Sequence, residues 1–148
     1  KNVPSWDAIE ARMTQSSARA TITAYYAAFN AGDAAGMLAC VTDDVEHRVN
    51  EGGIRLGRAK FAEFCAHMGV SYRETLQDIE IFVNETGTRA AAEFTVHGEY
   101  LKTDPGLPAA NGQRYILPAG SFFDLTEGKI SRITTFYNLN DWIAQVSA

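Results

Sequence analysis

The sequence has no long hydrophobic run, no run of Lys or Arg, and only two cysteines and four prolines among its 148 residues. No stretch approaches the roughly 18 apolar residues of a membrane-spanning helix, so a membrane partner is not expected. The net charge of -5 repels phosphate backbones, so a nucleic acid partner is not expected either. No signal-peptide pattern is visible, which predicts a cytoplasmic protein. Because the chain begins at Lys1 rather than Met, removal of a leader stays an open alternative.

The composition that remains is typical of one globular domain. Apolar residues make up 46% of the chain and charged residues 21%, and its 148 residues suffice for a single domain over 1–148 with a sizeable core. Cys40 and Cys65 stand among apolar neighbours in predicted helices, which favours two reduced thiols over a disulfide. The three histidines, at 47, 67 and 97, lack metal-ligand spacing, and no glycine-rich phosphate loop is present. We therefore predict neither a metal nor a cofactor.

The strongest pattern of the chain lies between residues 21 and 50. Apolar residues recur there with the spacing of one helix face, namely Ile22, Tyr25, Tyr26 and Phe29. They predict a helix that runs from the cap Ser5 to Asn30. After the conformationally free Gly32, Asp33 is suited to cap a short second helix.

A strand is predicted over residues 45–50, after a corner at Asp43 and Asp44. Its alternation places His47 on the same side as Val45. Two helices that close over a strand with an inward histidine indicate a pocket, and they indicate the pocket more clearly than its ligand.

The rest of the chain reads as an α+β domain. A third helix is predicted from apolar residues at helical spacing, namely Phe61, Phe64, Cys65, Met68 and Tyr72. His67 falls on the outer face of this helix. The strands of an antiparallel meander are predicted over 73–83, 89–102, 113–125 and 129–137. The loop over 103–112 is long enough to be a lid, and Asn140 is suited to cap a short terminal helix. No meander strand is followed by a crossover helix, which argues against a parallel α/β fold.

Two segments carry a family resemblance. YYAAFNAGDAAGMLACVTDDVEHRVN, with FFDLTEGKISRITTFYNLNDW near the end, resembles the ketosteroid isomerase-like and SnoaL-like branch of the nuclear-transport-factor-like superfamily, over roughly residues 18–146. The resemblance implies a cone-shaped, curved mixed β-sheet wrapped around N-terminal helices, with a short C-terminal helix and one open, largely apolar pocket. The superfamily holds isomerases, cyclases, hydratases, epoxide hydrolases and non-enzymes, so the resemblance implies a fold more sharply than an activity.

Steroid isomerases provide the first residue-by-residue comparison. They place an oxyanion-donating tyrosine eight residues before the aspartate of the Gly-Asp corner, and that position is Tyr25 here. Their general-base aspartate matches Val49, and their second, hydrogen-bond-donating aspartate matches Gly120. The resemblance therefore implies that steroid isomerisation by those two acids is not the activity of this chain.

Epoxide-opening members of the superfamily lead to a similar result. Their catalytic arginine and aspartate match the segment Thr95-Val96-His97. Their water-positioning tyrosine matches His47, and a further catalytic aspartate matches Thr135. The pocket is thus expected to hold imidazoles and phenols in place of carboxylic acids.

With those acids absent, the candidates for chemistry are other polar side chains. We predict that His97 moves a proton, since an imidazole exchanges protons near pH 7. Tyr25 is predicted to hold the developing oxyanion, and His47 to orient substrate or water. The substrate-binding residues predicted around these three are Thr95, Phe122, Thr135 and Tyr137.

The placement of His97 depends on which face of its strand is inside. Alternation groups His97 with Glu93 and Glu99, which taken alone puts it in solvent. The resemblance instead puts this face inside the cone, and we adopt that placement. It leaves for a dimer surface the opposite face, which carries Phe94, Val96 and Tyr100.

Two functions of different classes follow. The first is a cofactor-free enzyme of isomerase, cyclase or dehydratase type that transfers a proton on a small apolar molecule containing a carbonyl group. The alternative is a non-catalytic ligand-binding or dimerising module with the same cone, in which Tyr25 and His47 are ordinary core residues. A homodimer is predicted from the apolar outer face of the sheet.

Overall fold

The computed structural model describes residues 3–148. Its helices are α1 (Trp6–Asn30), α2 (Ala34–Ala39), α3 (Arg58–Ser71) and α4 (Leu139–Ser147). Its strands are β1 (Val41–Val49), β2 (Arg55–Leu56), β3 (Tyr72–Val83), β4 (Arg89–Tyr100), β5 (Gln113–Thr126) and β6 (Lys129–Tyr137). Within these residues, no helix combines the length and the apolar character needed to cross a bilayer.

The six strands form one curved, unclosed mixed sheet in the order β2-β1-β6-β5-β4-β3. The pairing of β1 with β6 is parallel, and the other four pairings are antiparallel. Register shifts interrupt the β1–β6, β3–β4 and β5–β6 ladders, and such irregularities bend strands. Helix α1 packs on β3 and β6, and α3 packs on β1 and β3. The predicted α+β fold, a curved sheet wrapped around the N-terminal helices, is confirmed.

The predicted start of the chain is also confirmed. The Ser5 hydroxyl accepts a hydrogen bond from the backbone N–H of Ala8 at the start of α1. Gly32 has φ +69° in the turn after this helix, and the Asp33 side chain caps α2 by accepting from the N–H of Gly36. The face of α1 that enters the core is fully or almost fully buried, and it consists of Ala18, Ile22, Tyr25, Tyr26 and Ala28.

Three local predictions were wrong. Asp43 and Asp44 lie inside β1 rather than at a corner, because pairing with β6 starts at Val41 and a register shift accommodates the two acids. Tyr72 begins β3 instead of extending α3, since it pairs with Tyr100 of the neighbouring strand. Helix α4 is capped by Asn138, two residues earlier than predicted. The Asn138 side chain accepts a hydrogen bond from the backbone N–H of Asp141.

The faces of β4 are the reverse of the adopted placement. Phe94 and Val96 are each 7% exposed and face the helices, whereas His97 is only partly buried and lies on the outer face. Because side chains alternate along a strand, a wrong choice at one residue transfers every residue to the wrong face. The simple alternation argument was correct here, and the resemblance misled. Large apolar side chains are exposed on the outer face instead, namely Phe82, Ile116, Phe122 and Phe136.

Candidate functional site

A cavity of about 850 Å³ lies between the helices and the inner face of the sheet. Its walls are mainly aromatic and aliphatic, and they include Phe29, Phe61, Phe64, Leu76, Phe94 and Leu117. Small-molecule sites in proteins typically have volumes of about 300–1,000 Å³ and similar walls. The cavity is therefore large enough for a molecule of several fused rings.

Four of the seven predicted site residues line this cavity: Tyr25, His47, Thr135 and Tyr137. The other three do not. Thr95 and His97 lie on the outer face of β4, and Phe122 is 47% exposed and packs against Phe136 with ring centroids 6.0 Å apart. The predicted placement of these three residues in the pocket was thus wrong, because all three depended on the same inverted sheet face. The catalytic roles of Tyr25 and His47 stay predictions.

One end of the cavity is built around His47 and Arg55, which are directly paired across β1 and β2. The His47 ring lies against Phe61 and Phe64, with centroid distances of 4.9 and 4.4 Å. Burial, and to a smaller extent the charge of Arg55, lowers the pKa of His47 from 6.5 to about 4. The imidazole is therefore neutral at pH 7. Its ring lines the cavity, and its buried Nδ1 has no hydrogen-bond partner within residues 3–148.

Two adjacent tyrosines on α1 reach the cavity beside this end. The rings of Tyr25 and Tyr26 meet edge to face with centroids 5.2 Å apart. Burial raises the pKa of both hydroxyls, so both keep their protons and can only donate or accept neutral hydrogen bonds. The Tyr26 hydroxyl has no partner among the described residues, and the nearby hydroxyls of Ser121 and Thr135 bond each other at 2.8 Å.

The other end of the cavity contains a carboxyl group that the sequence reasoning missed. Glu74, Gly98 and Tyr115 stand side by side on three neighbouring strands. The Tyr115 hydroxyl donates to Glu74 Oε2 at 2.5 Å, and its ring lies across Gly98, where a Cβ would overlap it. Burial raises the pKa of Glu74, although the Tyr115 hydrogen bond opposes this shift.

A second acid, Asp104, comes from the loop over residues 103–112. It accepts from the Tyr72 hydroxyl at 2.8 Å and lies 3.1 Å from His67 Nε2. Its backbone N–H donates to the hydroxyl of Tyr100 at 2.8 Å, so the loop is tied to the cavity wall. His67 thus lines the cavity, and its predicted place on the outer face of the helix was wrong.

Tyr137 is the predicted residue that lies closest to this acidic end. Burial raises the pKa of its hydroxyl, and the charges of Glu74 and Asp104 raise it further. Its hydroxyl forms no hydrogen bond to another described residue, so it is a protonated donor free to meet a ligand. The expectation of a pocket without carboxylic acids was wrong, since Glu74 and Asp104 both line it.

A signal for the missed acid was present in the sequence. Gly98 interrupts an otherwise strong strand, and a glycine in a strand often marks the close approach of another group. The approaching group is the Tyr115 ring. No comparable signal marked Arg55 or Asp104, because each lies in a short or irregular segment whose pairing depends on the whole fold.

A bent sheet over helices defines the class of this protein: an α+β domain with one cavity of small-molecule size between the helices and the sheet. The chain matches the SnoaL-like domain over residues 22–133, and it belongs to that family. The resemblance noted in the sequence is therefore confirmed. No match was found among proteins of curated function.

Solved structures support the same assignment. A provisionally named polyketide cyclase from a Silicibacter species is 62% identical, with a TM-score of 0.87 over 88% of this chain and 96% of that one. Another, from Xanthomonas campestris pv. campestris, is 52% identical, with a TM-score of 0.86 over 90% and 98%. An NTF2-like protein from Burkholderia pseudomallei, 19% identical, has a TM-score of 0.75 over 89% and 98% and shares the fold.

Proposed function

We propose that this chain is a cofactor-free enzyme of cyclase, isomerase or dehydratase type that moves a proton on an apolar molecule containing a carbonyl group. The observation that carries the proposal is the Glu74 carboxyl group in the cavity, hydrogen-bonded to Tyr115 and with a raised pKa. A carboxyl group whose pKa is shifted toward neutrality suits general acid–base catalysis. The provisional names of the 62% and 52% identical structures support the cyclase reading.

The chemistry assigned to these residues is proton transfer next to a carbonyl. Glu74 removes a proton from the carbon beside the carbonyl, and the resulting enolate oxygen accepts a hydrogen bond from the Tyr137 hydroxyl. The proton on Glu74 then returns to another carbon in an isomerase, or to a hydroxyl group that leaves as water in a dehydratase. In a cyclase the enolate carbon attacks a second carbonyl of the same molecule, and the proton goes to the alkoxide oxygen that this bond formation creates. Tyr115 positions Glu74 and does not itself react. In this proposal Glu74 takes the proton-transfer role predicted for His97, and Tyr137, whose hydroxyl senses the charge of Glu74, takes the oxyanion-holding role predicted for Tyr25. His47 keeps its predicted role in orienting the ligand.

The test is hydrogen–deuterium exchange in D2O, followed by NMR at the carbon beside the carbonyl, on a panel of ketones, lactones and polyketide fragments. Glu74→Gln is expected to slow exchange by about 100-fold or more, since general acid–base groups contribute on that order. His97→Ala is the matched control: it removes a titratable group from the outer face, and exchange should be unchanged. Exchange at the wild-type rate in Glu74→Gln would overturn the assignment.

A non-catalytic binding module is the second candidate function, favoured by the mainly aromatic and aliphatic walls. It predicts a ligand that binds the wild type and raises its melting temperature, with no exchange in any panel compound. The predicted cytoplasmic location stays a prediction.

We further propose that a second copy of the chain covers the outer sheet face. Phe122 and Phe136 contact each other there while remaining 47% and 45% exposed, which is unusual for a monomer surface. Light scattering should report a dimer, and Phe122→Glu should shift it to a monomer. A monomeric wild type would contradict the proposal.

A further inference from the structure

We propose that the ligand of this cavity carries a carboxylate, which the Arg55 guanidinium binds while His47 contacts the adjoining part of the molecule. The inference rests on the proposed function only in that the cavity holds a small molecule. It names the chemical class of that molecule, an apolar organic acid, and the end of the cavity where its charge lies.

Arg55 is held toward the cavity by two contacts. It pairs with His47 across two antiparallel strands, and residues paired in this way project from the same face of the sheet. Its guanidinium carbon lies 4.6 Å from the centroid of the Phe64 ring. This cation–π contact holds the guanidinium over the ring and forms no hydrogen bond, so its N–H donors stay available for a carboxylate.

Arg55 also lacks a partner of its own. Within residues 3–148 it has no ion pair and no side-chain hydrogen bond. Arg73, the other arginine that lines the cavity, is paired with Glu99 at 3.3 Å. The remaining arginines that contact a carboxylate are Arg58, Arg89, Arg114 and Arg132. A partly buried cation among aromatic rings loses hydration without gaining a counterion, so an incoming anion supplies the missing interaction.

The carboxylates of the cavity determine the orientation of such a ligand along the cavity. Arg55 precedes helix α3 and Glu74 follows it, and a helix of 14 residues is about 21 Å long. An anion is repelled by Glu74 and Asp104 and attracted by Arg55, so the charged group lies at the β1–β2 end. This orientation brings the uncharged, carbonyl-bearing part of the ligand toward Glu74.

His47 favours the same arrangement. Its ring lines the cavity beside Arg55, and a neutral imidazole can donate one hydrogen bond without adding a charge that competes with the guanidinium. One cation and one neutral donor suit a group with a single negative charge.

The experiment compares two ligands of nearly equal shape, anthraquinone-2-carboxylate and anthraquinone-2-carboxamide, by isothermal titration calorimetry at pH 7.5. We expect the wild type to bind the acid more tightly than the amide by on the order of 10-fold, the usual effect of a charge-assisted hydrogen bond. Arg55→Met should abolish this preference, and the acid should lose more affinity than the amide. Arg55→Lys should keep part of it, since an ammonium supplies charge without the planar donor fork.

Arg73→Met is the matched control, because Arg73 lines the same cavity but is already paired with Glu99, and the preference should persist. Thermal melts establish that each variant is folded. Equal affinities for the two probes, no binding of the acid, or an undiminished preference in Arg55→Met would each overturn the proposal. Glu74→Gln distinguishes the carboxylate proposal from the proposed function. This variant should lose deuterium exchange and keep the wild-type preference for the acid over the amide.

Discussion

The two ends of the cavity respond to burial in opposite ways. At the β1–β2 end, His47 is a base whose charged form is protonated, so burial lowers its pKa to about 4. At the other end, Glu74 is an acid whose charged form is deprotonated, so burial raises its pKa. The physical cause is the same, because a cavity with aromatic walls disfavours either charge.

The two ends of the cavity differ in the hydrogen-bond partners of their ionisable side chains. Glu74 receives a hydrogen bond from Tyr115, and Asp104 receives one from Tyr72, so both acids are held in place. His47 and Arg55 have no such partner within residues 3–148 and are positioned only by strand pairing and aromatic contacts. One end thus holds two carboxyl groups in fixed positions, and the other end presents an imidazole and a guanidinium that no described residue pairs.

The largest effect is expected from Gly98→Ala, which acts at the acidic end. The added Cβ would overlap the Tyr115 ring, so the ring must move and its hydrogen bond to Glu74 is lost. Overpacking of this kind costs about 1–3 kcal/mol of unfolding free energy, measured by urea denaturation. Deuterium exchange should fall toward the level of Glu74→Gln.

Gly69→Ala is the control for that variant. Gly69 lies within α3, and a Cβ there would meet no atom within 4 Å. Since alanine is the better helix former, the variant should be more stable than wild type by roughly 0.5–1 kcal/mol. If Gly98→Ala were as stable as wild type and retained exchange, the Tyr115–Glu74 contact would have no positioning role.

The next largest effect is the pH dependence that His47 contributes to the free energy of unfolding. Its pKa is about 4 in the folded protein against 6.5 unfolded, so between these values the unfolded chain binds more protons. The stabilisation that His47 contributes is fully present above pH 6.5 and is lost as the pH falls toward 4. From pH 7.5 to pH 5 the loss is about 2 kcal/mol. Urea denaturation at both pH values should show it, and His47→Phe should remove it.

Glu74 should give a dependence of opposite sign. The folded protein holds the Glu74 proton more tightly than the unfolded chain, so stability falls as the pH rises from 4.5 through the raised pKa. Burial is the main cause of the shift, and the Tyr115 hydrogen bond opposes it. The stability of Glu74→Gln relative to the wild type should therefore be higher at pH 8 than at pH 4.5. A gain at the lower pH instead would show that the charged form is the favoured one.

The sequence predicted the frame of the fold well because local patterns determine it. The caps Ser5 and Asp33, the stripe on α1 and the hairpin at 126–128 depend on residues close in the chain, and all are present. The direction of each strand face was harder to predict. For β4 the choice depended on whether Phe94 or His97 meets α1, which is a long-range contact.

The site was only half predicted for the same reason. Tyr25 and His47 lie in strongly patterned elements and were found, whereas Glu74 and Asp104 look like ordinary surface acids in the sequence. Their burial depends on Tyr115 and Tyr72, which are 41 and 32 residues away along the chain. A single sequence contains no local signal for such pairs except Gly98.

The smallest change in stability is expected from His67→Ala. This variant allows a comparison of His67 with His47, the other histidine that lines the cavity. His67 lies 3.1 Å from Asp104, but its side chain is 45% exposed. A polar contact that water reaches contributes roughly 0–1 kcal/mol, because water competes for both groups and both side chains lose freedom. Removal of the ring should therefore change the free energy of unfolding little at pH 7.5, as measured by urea denaturation. The Tyr72 hydroxyl continues to hold Asp104, so the loop over 103–112 should keep its place. Destabilisation by clearly more than about 1 kcal/mol would mean that the contact with Asp104 contributes more than a contact that water reaches.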